Sequence, residues 1–243
     1  MSNLNLIRRL VCALVITIAL GAATTASADP ILPGFDLFNT TPASFHIIPG
    51  IGQIFFKGGP PLVPGTNVDT IVQRLDRIDP FPVGGMGTIP IVLRDLSLQS
   101  VAPVNINGTF FDILATALPA QTAGTMTVFH NNANGGTFTS MLPVDVLLTF
   151  MQVGGGVTFS MTFTTKLTST CNWSHTPPPN YPTPANFPAG NFFVVGQCLE
   201  MAPTELHVVE PAQTPEPATL LLLASGLAGI AGWGRKRILK RNN

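Results

Sequence analysis

The sequence has few charged side chains, and this shortage excludes two classes of partner. Charged residues make up 10% of the 243 residues, and the 12 basic residues equal the 12 acidic ones in number. Only five of the basic residues but all 12 acidic ones lie between Asp29 and Glu216, which gives this region a formal charge of −7. Nucleic acids and anionic membrane surfaces bind cationic proteins, so we expect neither as a partner.

Catalytic and metal-binding motifs are also missing from the sequence. Four histidines stand far apart, without His-x-His or HExxH spacing (His46, His130, His175 and His207), and no Gly-x-Ser-x-Gly motif marks a hydrolase nucleophile. Asp76 and Asp79 could form an acid pair or help to hold Ca²⁺, but a solvated turn is the simpler interpretation. We therefore expect no catalytic residue, no cofactor and no metal ligand, and predict that the protein is not an enzyme.

The N-terminal residues have the pattern of an export signal. Arg8-Arg9 precede an apolar run over residues 10–20, and Ala26-Ser27-Ala28 supplies the small residues that signal peptidase requires. The sequence predicts a helical signal peptide over residues 1–28 and cleavage by signal peptidase between Ala28 and Asp29.

Two cysteines remain after this cleavage, because Cys12 leaves with the signal peptide. In an oxidising compartment such a pair favours a disulfide between Cys171 and Cys198. The loop between them is rich in proline, which excludes it from a central strand. A metal-binding pair is the alternative, but two cysteines without a neighbouring histidine motif are too few for zinc.

Aromatic residues are sparse, and several of them fall in or beside this proline-rich loop. Trp173 and Tyr181 are the only tryptophan and tyrosine between the two terminal segments, and His175 and Phe187 lie near them. They could stack on sugar rings or on a partner protein. Burial against the domain is the favoured interpretation, because large apolar rings usually find cover.

The C-terminal residues 214–243 combine three features in order. Pro215-Glu216-Pro217 comes first, the 18 residues between Glu216 and Arg235 carry no charge, and a basic cluster comes last (Arg235, Lys236, Arg237, Lys240 and Arg241). As a helix the uncharged run would span roughly 27 Å, close to the ~30 Å of a bilayer core. Basic residues stay in the cytoplasm. The pattern predicts a transmembrane helix whose outer end carries the tripeptide in extended form.

This order of tripeptide, apolar helix and basic end resembles the PEP-CTERM sorting signal of exported proteins of Gram-negative bacteria. The resemblance implies that an exosortase, a membrane-embedded cysteine protease, processes the chain at Pro215, Glu216 and Pro217. The helix would then insert into the membrane only transiently, and the product would reach the cell surface or the extracellular space. A permanent anchor is the alternative.

Residues 29–213 are predicted to form a single all-β domain, an antiparallel β-sandwich or jelly roll. Apolar and mostly hydroxyl-bearing residues alternate over Val157–Leu167. A change of apolar phase at Arg94-Asp95 predicts a β-bulge. Glycines predict turns at Asn134–Gly136 and at residues 154–156. Similar short runs predict further strands (near Ala43–Ile48, Gln53–Lys57, Thr70–Leu75, Thr88–Gln99, Thr109–Ala115, Thr125–His130, Val144–Phe150, Asn191–Val195 and Glu205–Val209).

One part of this body, residues 64–104, is similar to a segment of uncharacterised exported PEP-CTERM proteins. The similarity consists of the run Asp69-Thr70-Ile71-Val72-x-Arg74 and of Leu96-Ser97-Leu98. It implies a shared β-domain and carries no known activity.

Three functions remain open from the sequence. The favoured one is a structural or interaction protein of the cell surface or extracellular matrix, linked to exopolysaccharide or biofilm. A secreted carbohydrate-binding module is the first alternative, and a secreted hydrolase is the second. The expected partners are signal peptidase and exosortase during export, and exopolysaccharide or other surface proteins afterwards.

Overall fold

The computed structural model describes residues 29–79 and 82–214, which form 13 β-strands and no helix. Within these residues, no helix has the length and hydrophobicity that a membrane span requires. The predicted signal peptide and the predicted C-terminal helix lie outside the described residues. The strands are β1 (Gly34–Thr40), β2 (Ser44–Ile48), β3 (Gly52–Gly58), β4 (Thr70–Arg74), β5 (Met86–Ser100), β6 (Val104–Ile106), β7 (Thr109–Ala117), β8 (Gly124–Asn132), β9 (Gly135–Gln152), β10 (Thr158–Ser174), β11 (Phe193–Val195), β12 (Cys198–Ala202) and β13 (Glu205–Pro211).

The strands pair into one continuous antiparallel sheet that closes on itself. The pairings run β1–β4–β5–β8–β9–β10–β12–β13, and β13 pairs again with β1. Strands β2 and β3 continue this ring between β13 and β5, and β7 continues it between β5 and β9. The predicted all-β class is confirmed, and the arrangement is sandwich-like with continuous pairing around the core.

The interior of the ring is filled by alternate side chains of the long strands. Strand β9 directs Val144, Val146, Leu148 and Phe150 inwards, and all four are buried. Burial of each such side chain contributes roughly 1.5–3 kcal/mol. The main core is continuous from β9 to residues of β1, β3, β4, β5 and β13, and a second, smaller apolar cluster includes Leu37 and Ile71.

The predicted irregularities of the strands lie close to where the sequence places them. Between β4 and β5, Ile71 pairs with Asp95 and Val72 with Leu93, so Arg94 is the extra residue of a bulge, as predicted. The glycines at 154–156 form the turn between β9 and β10, all with positive φ. The hairpin near Asn134 is also confirmed, although Gly135 and Gly136 already belong to β9.

The predicted strands are confirmed, but four features of the strand pattern were not predicted. Strands β1, β6 and β12 were missed, and β9 and β10 extend well beyond the predicted segments. Two of the missed features have one cause, because β1 and β12 direct charged residues inwards, Asp36 and Glu200. A polar residue at an inward position removes the alternation by which a strand is recognised.

The predicted disulfide and the favoured burial of the loop aromatics are both confirmed. Cys171 and Cys198 are bonded and join β10 to β12. Trp173 belongs to β10, is 3% exposed and stacks on Phe192 with ring centroids 5.0 Å apart. The hydroxyl of Tyr181 accepts a hydrogen bond from the backbone N–H of Leu37 at 3.0 Å. The proline-rich loop is therefore fastened against the outside of β1.

Candidate functional sites

The segment after β13 is hydrogen-bonded to the rest of the domain as far as Thr214, the residue before the sorting tripeptide. After β13, the backbone N–H of Gln213 donates to the side-chain oxygen of Asn67 at 2.6 Å. The backbone N–H and the hydroxyl of Thr214 both donate to the carbonyl of Asn180, at 2.9 and 3.2 Å. The loop before β4 and the proline-rich loop thus fix the point from which the C-terminal segment leaves the domain.

The residues predicted for processing lie at or beyond the limits of the described chain. Pro215, Glu216 and Pro217 are outside the described residues, as is Ala28. Asp29 is the first described residue and is exposed.

The acid pair considered from sequence forms a local surface turn. Asp76 accepts a hydrogen bond from the backbone N–H of Arg77 at 2.7 Å, and the Arg77 side chain lies 3.1 Å from Asp79. Both partners of this ion pair are exposed, so it contributes little to stability. Among residues 29–79 and 82–214, no group of three or more histidine, cysteine or acidic side chains is placed to hold a metal ion.

A chain of buried polar side chains connects four strands, and sequence spacing gave no sign of it. His207 of β13 lies 2.8 Å through Nδ1 from Oε2 of Glu200 and 2.9 Å through Nε2 from the hydroxyl of Thr40. The Thr40 hydroxyl donates to Asp69 at 2.7 Å, and so does the hydroxyl of Thr70. These five residues form what we call the polar chain. They come from β1, β4, β12 and β13 and from the residue before β4.

The hydrogen bonds of this chain favour one arrangement of its protons. With Asp69 ionised, the Thr40 hydroxyl donates to Asp69 and Nε2 of His207 donates to the Thr40 oxygen. Glu200 accepts from Nδ1, which makes His207 a cation between two carboxylates. Burial acts to lower the pKa of His207, but the hydrogen bond and charge of Glu200, with the charges of Asp69 and Glu205, outweigh it and raise this pKa. Burial also raises the pKa of Asp69, against the hydrogen bonds of Thr40 and Thr70.

The order of hydroxyl, imidazole and carboxylate is the one used by hydrolases with a nucleophilic hydroxyl. Here, however, the Thr40 side chain is 2% exposed and its proton is already donated to Asp69. A nucleophile must reach a substrate and must be able to give its proton to the base. The polar chain therefore has the residue types of a catalytic triad, but it is buried and connects strands in the interior.

A second buried charge supports the same strands. Arg74 at the end of β4 is fully buried and forms an ion pair with Asp36 of β1. Its guanidinium also donates to the carbonyls of Ala189 and Leu32, and it lies over the ring of Phe192, 4.7 Å from the ring centre. The run from Asp69 to Arg74 thus supplies Asp69, Thr70 and Arg74 to the interior, where they connect strands.

One enclosed apolar cavity, between β2, β10 and the β12–β13 hairpin, has a volume of about 40 Å³ and is too small to be a ligand site in this conformation. At its rim, Nδ1 of His46 and Oε2 of Glu205 are 3.7 Å apart, and neither atom has a hydrogen-bond partner among the described residues. This space holds water-sized molecules and is far smaller than a typical small-molecule pocket.

The outer face of the sheet carries an ordered set of hydroxyl groups. Thr88, Thr127, Thr139 and Thr170 lie side by side on β5, β8, β9 and β10. The hydroxyls of Thr88 and Thr127 are 2.9 Å apart. Strand β10 continues the face along its length with exposed polar residues at alternate positions (Thr158, Ser160, Thr162, Thr164, Lys166, Thr168, Thr170 and Asn172). We call this surface the hydroxyl face.

Comparison with known proteins identifies the C-terminal segment. Residues 213–236 match the family model of the PEP-CTERM protein-sorting motif, which includes the tripeptide, the uncharged run and the first basic residues. No curated protein and no solved structure matches the chain. The chain therefore carries a PEP-CTERM protein-sorting motif, which implies export, processing by an exosortase and a surface or extracellular location.

Proposed function

We propose that the exported domain acts without catalysis, as a structural or interaction protein of the cell surface or extracellular matrix in connection with exopolysaccharide or biofilm. One observation carries the proposal. A sorting motif that leads to the surface follows directly after a domain whose outer face is an ordered array of hydroxyl groups. Neutral hydroxyls donate and accept hydrogen bonds, so this face suits a hydroxyl-rich polymer or a polar protein surface.

The use of charge in the domain supports the same role. Arg74, Asp36, Asp69, Glu200 and His207 are all buried and engaged with one another or with neighbouring strands. These five charged side chains are thus committed to holding the ring of strands together. The hydroxyl face has little charge of its own and remains in contact with solvent.

The two alternatives have less support from the described residues. Sugar-binding modules lean on exposed tryptophan and tyrosine rings, whereas Trp173 is buried and Tyr181 bonds through its hydroxyl to β1. A hydrolase would need an accessible nucleophile, and Thr40 is enclosed. A glycan-array screen and an esterase and glycosidase screen of the exported protein would separate these activities from the proposed role.

Deletion of the gene tests the role directly. We expect the deletion strain to lose flocculation or matrix cohesion and the unaltered gene to restore it. Genes carrying Asp76→Asn, Asp79→Asn or His175→Gln should restore it equally well, because these residues belong to surface turns or to internal packing. If one of these variants is secreted and folded but fails to restore cohesion, the protein has a discrete active or binding site instead.

Processing is tested by the intact mass of the exported product. We propose that this product lacks residues 1–28 and the segment that follows Pro215–Pro217. The matched variant Glu216→Ala changes the tripeptide and leaves the apolar run and the basic cluster unaltered. It should accumulate in the envelope with Arg235–Arg241 retained. An unaltered mature protein that retains these basic residues would establish a permanent anchor.

A further inference from the structure

One half of strand β10 has an open edge. β10 pairs with β9 over its whole length, from Thr158 to Ser174. On its other side it pairs with β12 at Thr168 and Ser169 and with β11 at residues 172–174. Within residues 29–79 and 82–214, no strand pairs with the other side of residues 158–166.

The hydrogen bonds of the hairpin show which backbone groups face this edge. The N–H of Gln152 donates to the carbonyl of Val157 at 3.0 Å, so Val157 directs its backbone groups towards β9. Orientation alternates along an antiparallel strand. The even-numbered residues, Thr158, Ser160 and Thr162 among them, therefore point their N–H and C=O groups away from β9. These donors and acceptors are available to a further strand.

The side chains at this edge have two different faces. The odd-numbered residues Val157, Phe159 and Met161 are apolar, and they are 59%, 40% and 36% exposed. The even-numbered residues between them belong to the hydroxyl face and are also exposed. Proteins usually protect an edge strand with charge, proline, a bulge or short length. Residues 157–163 contain no charged residue and no proline, and they pair with β9 without a register shift.

We propose that this edge pairs with the same edge of a second copy of the chain, in an antiparallel arrangement centred on Ser160. This inference deepens the proposed function, since it names the contact by which copies would assemble at the surface. With Ser160 on the two-fold axis, Thr158 lies opposite Thr162 of the second copy, and Phe159 lies opposite Met161. The outward-facing backbone groups satisfy one another, and the exposed apolar side chains cover one another.

The composition of the edge identifies a second copy as the occupant. In this register, apolar residues meet apolar residues and hydroxyls meet hydroxyls at every position from Val157 to Phe163. A two-fold contact of this kind uses the same surface on both molecules and closes after two copies. The domain is acidic, and the absence of acidic residues from this segment lets two copies approach without direct repulsion.

The test exploits the position of Ser160 on the two-fold axis. Ser160→Lys places two ammonium groups directly opposite each other across the contact, and like charges so placed are destabilising. We expect the exported protein to be dimeric in sedimentation equilibrium, and Ser160→Lys to weaken the dimer by about tenfold or more. Thr170→Lys is the matched control, because Thr170 is exposed on the same face of β10 but lies away from the open edge.

A charge exchange separates this contact from a general effect on folding. Ser160→Glu should weaken the dimer to a similar extent, and an equimolar mixture of the Lys and Glu variants should restore dimers. A monomeric unaltered protein, a dimer unaffected by Ser160→Lys, or a mixture that stays monomeric would each overturn the inference. The proposed function is judged separately: loss of cohesion on gene deletion together with a monomeric unaltered protein would leave that function standing without this contact.

Discussion

The polar chain and the β9–β10 hairpin show two ways of stabilising the same sheet. Around β1, β4, β12 and β13 the interior contains charged side chains that bond across strands, with Arg74 and His207 at the centres of two groups. In the hairpin the interior is apolar, and Phe150 stacks on Phe159 with ring centroids 4.5 Å apart. Buried polar groups require specific distances and angles to their partners, whereas apolar packing accepts different side chains of similar volume.

This difference indicates which strands hold the C-terminal segment in place and which strands have surface available for contact with other molecules. The proline-rich loop and the residue before the sorting tripeptide are attached beside the charged strands. The hairpin extends away from that region and ends in exposed apolar residues and an open edge. The charged strands therefore hold the exit of the sorting segment in place, and the hairpin offers surface to other molecules.

The largest expected effect comes from breaking the buried ion pair. Arg74→Met removes the partner of Asp36 and leaves a carboxyl group enclosed without its cation. The loss of one partner of a buried pair costs about 3–5 kcal/mol in the free energy of unfolding, which urea denaturation of the exported protein would measure.

The double variant Arg74→Met with Asp36→Leu is the control for this prediction. It removes both charges, so part of the lost stability should return. A single variant that loses less than about 1 kcal/mol would contradict the view that charge holds these strands together.

The next largest effect should come from the disulfide, which joins the hairpin to the charged strands. Cys171 and Cys198 are separated by 27 residues in sequence, and closure of a loop of this size contributes roughly 3–4 kcal/mol in the chain-entropy model. Cys198→Ser should lower the melting temperature of the exported protein, and Cys171→Ser should lower it equally. Free thiols in the unaltered exported protein would contradict the prediction.

The strands that the sequence revealed are those whose alternation follows the hydrophobic effect. In β10, apolar and hydroxyl residues alternate from Val157 to Leu167, and both faces lie as the pattern indicates. β12 has the reverse pattern, with Glu200 inside and with Leu199 and Met201 exposed. Such a strand can be recognised only when the partners of its buried charges are known. The partners of Glu200 and Asp36 lie elsewhere in the sequence.

The candidate sites were predictable to different degrees for the same reason. The sorting motif is contiguous, so its composition and order can be read directly. The polar chain joins Thr40, Asp69, Glu200 and His207, which no motif spacing connects. Asp69 and Arg74 lie five residues apart in one run, but their interior partners Thr40 and Asp36 lie elsewhere in the sequence.

The protonation of His207 predicts how stability changes with pH. Its folded-state pKa is raised above the ordinary value of 6.5, so the folded protein binds this proton more tightly than the unfolded chain does. The resulting stabilisation is fully present below pH 6.5 and is lost as the pH rises through the raised pKa. The buried carboxyl of Asp69 has a raised pKa as well, and it contributes in the same direction at lower pH.

His207→Gln isolates this contribution. The variant should lose about 1–3 kcal/mol near pH 6, because Glu200 and Thr40 lose a charged donor, and the difference from the unaltered protein should shrink at pH 9. Melting temperatures of both proteins across this range measure the effect. A difference that stays constant with pH would show that the pKa of His207 is the same in the folded and unfolded states, which would contradict the prediction.

The smallest effect compares the same substitution in the two regions. Thr170→Val removes a hydroxyl from the hydroxyl face, where water replaces it, and should change the free energy of unfolding by less than about 0.5 kcal/mol. Thr40→Val removes a hydroxyl that bonds both His207 and Asp69 in the interior, and the unsatisfied partners should cost about 1–3 kcal/mol. Urea denaturation of the two variants side by side measures the contrast. Equal losses would mean that the exposed threonines are part of the support of the sheet, and the hydroxyl face would then no longer be a surface free to serve other molecules.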